Sequence, residues 1–277
     1  MHSLNMVSIR VLDDIGIRYT VEFVSHFGFQ KSLLPHSLSL ALGSLSVSPL
    51  DLAAAYAVFA NGGFKIEPYL IDHITDNDGH LLLQAKAAYV CNPCTAKNTD
   101  PDVIAPRVLS EEVSYLMNTA LMDVVRHGTA SAAASALNRK DIAGKTGTTN
   151  EQVDAWFAGY TPQLVVTTWV GFDTPTPLHE YAAMLALPLW IDFMKVALKD
   201  MPEVMIQKPA TIVAVPIDPH TGLQVPSNQP SQLIEYFREQ EVPALQGTLP
   251  QSLPEEFEQP TTHTQPAEVE EGHWVEP

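Results

Sequence analysis

Basic residues are scarce in this chain. Fifteen Lys and Arg stand against 32 Asp and Glu in 277 residues, a formal net charge of −17 at pH 7. Nucleic acids and anionic membrane surfaces are met by clustered Lys and Arg, so neither is expected as a partner. Long apolar runs are also missing, since none approaches the roughly 18 uninterrupted apolar residues of a membrane helix. Met1–Met6 has no basic region followed by an apolar stretch, so no signal peptide is expected. Cysteine is limited to Cys91 and Cys94. A single Cys-x-x-Cys supplies half of a four-ligand zinc site, and no thioredoxin-like βαβ pattern surrounds it. The pair reads as a surface loop, clipped by a disulfide if the protein is exported. Neither a metal nor a cofactor is expected.

What is present is enough apolar residue to fold. The hydrophobic fraction of 45% is ordinary for a packed globular protein, and the length suits one large domain or two small ones. Charge and proline are unevenly spread. Twelve of the 22 prolines fall from Pro202 onward, and ten Glu but one Arg fall from Gln229 onward. Residues 201–226 therefore read as a Pro-rich extended segment, with a strand over Ile212–Ile217 and a turn at Pro219–Gly222. Residues 227–277 read as an acidic tail with too little apolar surface to stay ordered.

Before that, periodicity predicts α+β organisation. Apolar positions at helical spacing run from Asn5 to His26, broken at Gly16 into two short helices. Ser48-Pro49-Leu50-Asp51 is a helix start, with a stop at Gly62-Gly63. Phe64–Lys86 reads as a hairpin turning at Asn77-Asp78-Gly79. Ser110 caps a helix ending near Gly128-Thr129-Ala130. A strand at Lys145-Thr146-Gly147, strands over Ala155–Pro162 and Leu164–Phe172, and a helix over Tyr181–Leu198 complete an antiparallel sheet covered by helices.

The chemistry concentrates in Asp141–Asn150, Asp-Ile-Ala-Gly-Lys-Thr-Gly-Thr-Thr-Asn. Gly144-Lys145-Thr146 ends as a phosphate-binding P-loop does, but Arg139 occupies the required first glycine and Gly-Thr-Thr-Asn is poor helix material. The alternative is a Lys-Thr-Gly edge strand lining a cleft, the triplet that accompanies Ser-x-x-Lys and a Ser-Asn motif in serine β-lactamases and penicillin-binding proteins. Lys145 offers a cation to a carboxylate. Gly147 lets an extended backbone approach closely. Thr146 and Thr148 offer hydroxyls, and the Thr148 N–H suits an oxyanion. Some 140 residues earlier, Ser3-Leu4-Asn5 is the matching Ser-x-Asn, although by itself it is also a common helix cap.

Ser3–Arg10, Val125–Ala130, Asp141–Asn150 and Asp154–Pro162, taken together and in this order, resemble class A penicillin-binding proteins of the 1A type. The likeness is to the C-terminal part of the transpeptidase domain, over residues 1–200. It implies the α+β fold of serine β-lactamases and penicillin-binding transpeptidases. It also implies acyl transfer at the D-Ala-D-Ala end of a peptidoglycan stem peptide, with β-lactams as ligands, at the periplasmic face of the bacterial inner membrane. By position, Ser3 relays a proton and Asn5 holds the substrate amide. Lys145 supplies charge and orients Ser3, and Thr146, Gly147 and Thr148 line the substrate site. No serine here is followed three positions on by lysine, so the family's Ser-x-x-Lys nucleophile is missing. The chain is expected to be inactive alone. The alternatives are a non-catalytic piece that docks with a separate N-terminal half, or a serine β-lactamase fragment.

Overall fold

The computed structural model describes residues 3–91, 103–226 and 233–247. The chain divides into two compact units, Met1–Val215 with Glu235–Val242, and Pro216–Ile234 with Pro243–Pro277.

The larger unit opens with α1 (Asn5–Ile15) and α2 (Ile17–Ser25), split at Gly16 as periodicity predicts. Gly16 sits at φ 91°, a conformation open to glycine and strained for a side chain. Helix α3 (Pro49–Ala60) has the expected start in full: Ser48 Oγ accepts from the Asp51 N–H while the Asp51 carboxylate accepts from the Ser48 N–H. The turn after it cannot be other than glycine at Gly63, because a Cβ there would lie 2.5 Å from the Leu109 carbonyl oxygen.

The hairpin forms around the predicted turn, but β1 (His73–Thr75) and β2 (Leu81–Gln84) are much shorter than Phe64–Lys86. Every residue of both strands is exposed. Pro68 gives no backbone donor to lengthen the ladder, and a two-stranded ribbon without a covering layer is marginal in water. Helix α4 (Glu111–His127) is capped by Ser110, whose Oγ accepts from the Val113 N–H at 3.2 Å. Sequence reading missed α5 (Ser131–Leu137). Its run of Ser and Ala has good helix propensity but no apolar stripe for periodicity to detect.

Strands β3 (Ala143–Thr148), β4 (Asp154–Thr161) and β5 (Leu164–Gly171) form an antiparallel sheet in that order, so the Lys-Thr-Gly strand is an edge. Lys145 lies opposite Ala158, and Ala158 opposite Thr167. Strand alternation puts Lys145, Ala158 and Tyr160 on one face, and Thr146, Thr148, Phe157 and Ala155 on the other. The second face packs on α6 (Ala186–Ala197), where Phe157 meets Trp190 edge-on with ring centroids 4.9 Å apart. The first face packs on α3 and α4 through Ala60, Leu121, Met122 and Tyr160. Helices therefore cover both faces, as an α+β layering requires. Helix α6 starts five residues later than predicted, because Pro188 is tolerated only in a first turn.

A buried ion pair fixes the approach to β3. Arg139 Nε and Nη2 donate to the two Asp141 carboxylate oxygens at 3.0 and 2.7 Å, and Arg139 Nη1 donates to the Met201 carbonyl. The Val204 N–H closes the set on Asp141 at 3.1 Å.

The expected disordered tail from residue 227 is corrected at one place. Leu233–Arg238 forms a strand, β7, paired with β6 (Ile212–Ile217), itself a predicted strand. Within the larger unit, β7 rests on α4 by Tyr236 against Tyr115 and by Arg238 against Glu112. Averaging composition over the whole acidic stretch concealed this short aromatic and β-branched run. In the smaller unit the predicted turn forms, with the Gly222 N–H donating to the Asp218 carbonyl. Residues 227–232 and 248–277 of the expected tail, and Cys94, lie outside the described residues. Cys91 is not a free thiol.

Candidate active site

Ser3-Leu4-Asn5 opens α1, yet its bland role as a helix cap is not the one adopted. Leu4 occupies the N-cap position without any side-chain capping bond, and Asn5 is already the first helical residue. The Ser3 side chain is thereby released from local work. It points across to β3, where Lys145 Nζ donates to Ser3 Oγ at 2.6 Å. Two residues 142 positions apart meet because the chain just before α1 lies beside the sheet edge.

A cleft of about 940 Å³ contains the whole expected set: Ser3, Asn5, Lys145, Thr146, Gly147 and Thr148. None of these six is left outside. Lys145 is half-buried and gives a second hydrogen bond to the Thr146 carbonyl at 2.8 Å. Burial holds its amine below the usual lysine value. Among the described residues it has no carboxylate partner within ion-pair distance. A cation kept in a cleft without an internal counter-ion is suited to an anionic ligand. Gly147 needs no φ that excludes other residues; its value is the bare backbone it presents between Lys145 and Thr148.

The two threonines are both engaged sideways. Thr146 Oγ1 lies 2.9 Å from Thr129 Oγ1, and Thr148 Oγ1 accepts from the Ala182 N–H at 3.2 Å. The second bond ties the segment before α6 to the strand, so Tyr181 and Met184 form the opposite wall of the cleft. A second, apolar cavity of about 720 Å³ reaches the same strand, lined by Leu12, Val24, Leu40, Leu52, Tyr56 and Trp156 among others.

Residues 1–185 match the family described as the penicillin-binding protein transpeptidase domain. The chain belongs to this family. Among its relatives is penicillin-binding protein 1A of Pseudomonas aeruginosa, 38% identical over 90% of this chain and 34% of that protein. Penicillin-binding protein 1A of Neisseria meningitidis is 46% identical over 71% of this chain and 23% of that protein. The crystal structure of penicillin-binding protein 1A from Haemophilus influenzae superposes with a TM-score of 0.79 at 39% identity, over 88% of this chain and 39% of that one. The chain thus spans roughly a quarter to a third of the length of these curated relatives.

Within this transpeptidase family frame, sequence reading missed Thr129, Tyr181 and Met184 as cleft residues. The signal for Thr129 was available, since Gly128-Thr129-Ala130 is part of a stretch that carried the resemblance. Nothing in the sequence marks Tyr181 or Met184, which reach the cleft only because Thr148 holds their segment.

Proposed function

We propose that this chain forms the cleft wall of a peptidoglycan D,D-transpeptidase, which cross-links stem peptides at D-Ala-D-Ala and binds β-lactams. The observation that carries this reading is the Lys145–Ser3 hydrogen bond at 2.6 Å beside the Thr146-Gly147-Thr148 edge. In the reaction, a serine hydroxyl attacks the carbonyl of the penultimate D-alanine. The bond to the terminal D-alanine breaks, and that amine leaves with a proton. An acceptor amine then attacks the resulting ester, forms the cross-link amide and returns the proton to serine. Ser3, held by Lys145, is the proton relay to the leaving amine and from the acceptor. Asn5 hydrogen-bonds the substrate amide. Lys145 and the Thr146 and Thr148 hydroxyls receive the terminal carboxylate, and the Thr148 N–H is one oxyanion donor. Peptidoglycan lies outside the cytoplasmic membrane, so the reaction belongs at the periplasmic face of the inner membrane. Among the described residues no helix is long and apolar enough to cross a membrane.

The acylated serine comes from outside residues 1–277, because no serine here precedes a lysine by three positions. The chain alone is therefore inactive. Loss of a nucleophile removes the covalent path, which neighbouring groups do not replace.

A second reading, docking with a separate N-terminal half, is favoured by the apolar cavity beside β3. Helix α1 adds Met6, Val7, Val11 and Ile15, all more than half exposed. Apolar surface of this extent next to a catalytic lysine suits an apolar helix that brings the missing serine to Lys145.

Labelling with a fluorescent penicillin, read on a denaturing gel, tests both readings. The purified chain is expected to give no band. Co-expression with a polypeptide carrying the family's Ser-x-x-Lys segment is expected to give a stable complex with a labelled partner. A specific band on the chain alone, lost after unlabelled penicillin, would show that another residue is acylated. Failure to form a complex would remove the docking reading.

A further inference from the structure

We propose that Thr129 is a specificity-determining residue of this cleft, sharing with Thr146 the recognition of the substrate's terminal carboxylate. The inference rests on the transpeptidase reading above and extends it to a residue outside the Lys-Thr-Gly strand. Thr129 and Thr146 both line the cleft, and their hydroxyl oxygens are 2.9 Å apart.

That distance is a hydrogen bond between two groups, each owning one proton. One hydroxyl gives its proton to the other, and the other keeps a proton free to donate. Whichever hydroxyl keeps the free proton, the pair lines the same cleft as the Lys145 amine, so the ligand that completes it is an anion. A hydroxyl that already accepts a hydrogen bond is polarised and donates more strongly to the next acceptor. The pair therefore presents a carboxylate oxygen with a stronger donor than Thr146 alone.

Thr129 is placed firmly enough for this. It follows the last turn of α4, and its neighbour Ala130 is fully buried, with the Ala130 N–H bonded to the Val124 carbonyl. Ala130 and Ala133 both lie in the main core, so the backbone on the C-terminal side of Thr129 is fixed by packing. The threonine itself stays exposed on the cleft.

A merely structural tie between α4 and β3 gives the same distance, and non-covalent ligand binding separates the two. The 277-residue protein is titrated by calorimetry with diacetyl-Lys-D-Ala-D-Ala and with its C-terminal amide, so no acylation is needed. Wild type is expected to prefer the carboxylate. T129V is expected to weaken carboxylate binding about tenfold, the worth of one hydrogen bond to a charged group. It should leave the amide's affinity unchanged, and T129S should restore the carboxylate's. T129A, which removes the hydroxyl with less steric change, takes its place if T129V does not melt cooperatively. Equal affinity of wild type and T129V for the carboxylate overturns the inference and leaves the transpeptidase reading standing. So does an equal loss for both peptides, which marks a structural tie. No preference of wild type for carboxylate over amide overturns the reading of the cleft and the inference with it.

Discussion

Asp141→Ala is the perturbation whose magnitude follows most directly from the fold. The Asp141 side chain is fully shielded from solvent and that of Arg139 is 11% exposed. The carboxylate accepts from Arg139 Nε, Arg139 Nη2 and the Val204 N–H at 3.0, 2.7 and 3.1 Å. Alanine would leave a guanidinium without its counter-ion and a backbone N–H without an acceptor. Removing one member of a buried pair costs about 3–5 kcal/mol, because the surviving charge is stranded. With a urea m-value near 2.5 kcal/mol/M, the unfolding midpoint should fall by roughly 1.5 M. The double replacement Arg139→Met with Asp141→Leu strands nothing and should recover most of the loss. Urea unfolding followed by far-UV circular dichroism measures all three. A single-mutant loss below about 1 kcal/mol, the range of exposed ion pairs, would refute the argument that this pair is buried and essential to its neighbours. The pair also bears on the cleft, since Asp141 lies two residues before β3 begins.

Two further outcomes are expected. Burial lowers the Lys145 amine from its ordinary 10.5, so affinity for a carboxylate peptide should fall as pH rises through that lowered value, before the ordinary one is reached. The same shift gives folding a desolvation penalty that is present below the lowered pKa and relieved as pH rises from there towards 10.5. Binding that stays flat through this window, in titrations of wild type against Lys145→Met, would contradict it. Gly159→Ala should destabilise the sheet by about 1–3 kcal/mol through overpacking. Its Cβ would stand 2.6 Å from Phe157 Cε1 and 2.8 Å from Trp190 Cζ2. An unchanged melting temperature would show that the Phe157–Trp190 stack yields without cost.

The sequence by itself determined the local elements and the residue types of the chemistry. Caps at Ser48 and Ser110, the break at Gly16 and the alternation in β4 and β5 are written in neighbouring residues, where sterics and hydrogen bonding act over a turn or a pleat. Lys-Thr-Gly and Ser-x-Asn were legible because each gathers its residue types within three positions. Element ends were less legible wherever long-range packing sets them. The β1–β2 strands stop short for want of a covering layer, and α6 waits for Pro188 to fall in its first turn. Strand β7 depends on α4, from which it is separated by more than a hundred residues.

Only the tertiary structure decided which hydroxyls share a cleft. Ser3 is 142 positions from Lys145, and Thr129 is 17 from Thr146. No local rule couples groups so far apart in the chain. They meet because α4 and α6 sandwich a three-stranded sheet whose edge is left free, and that edge carries the lysine. The Arg139–Asp141 pair is the same kind of fact. Only two positions apart in sequence, the pair acquires its role only when Met201 and Val204 return to it.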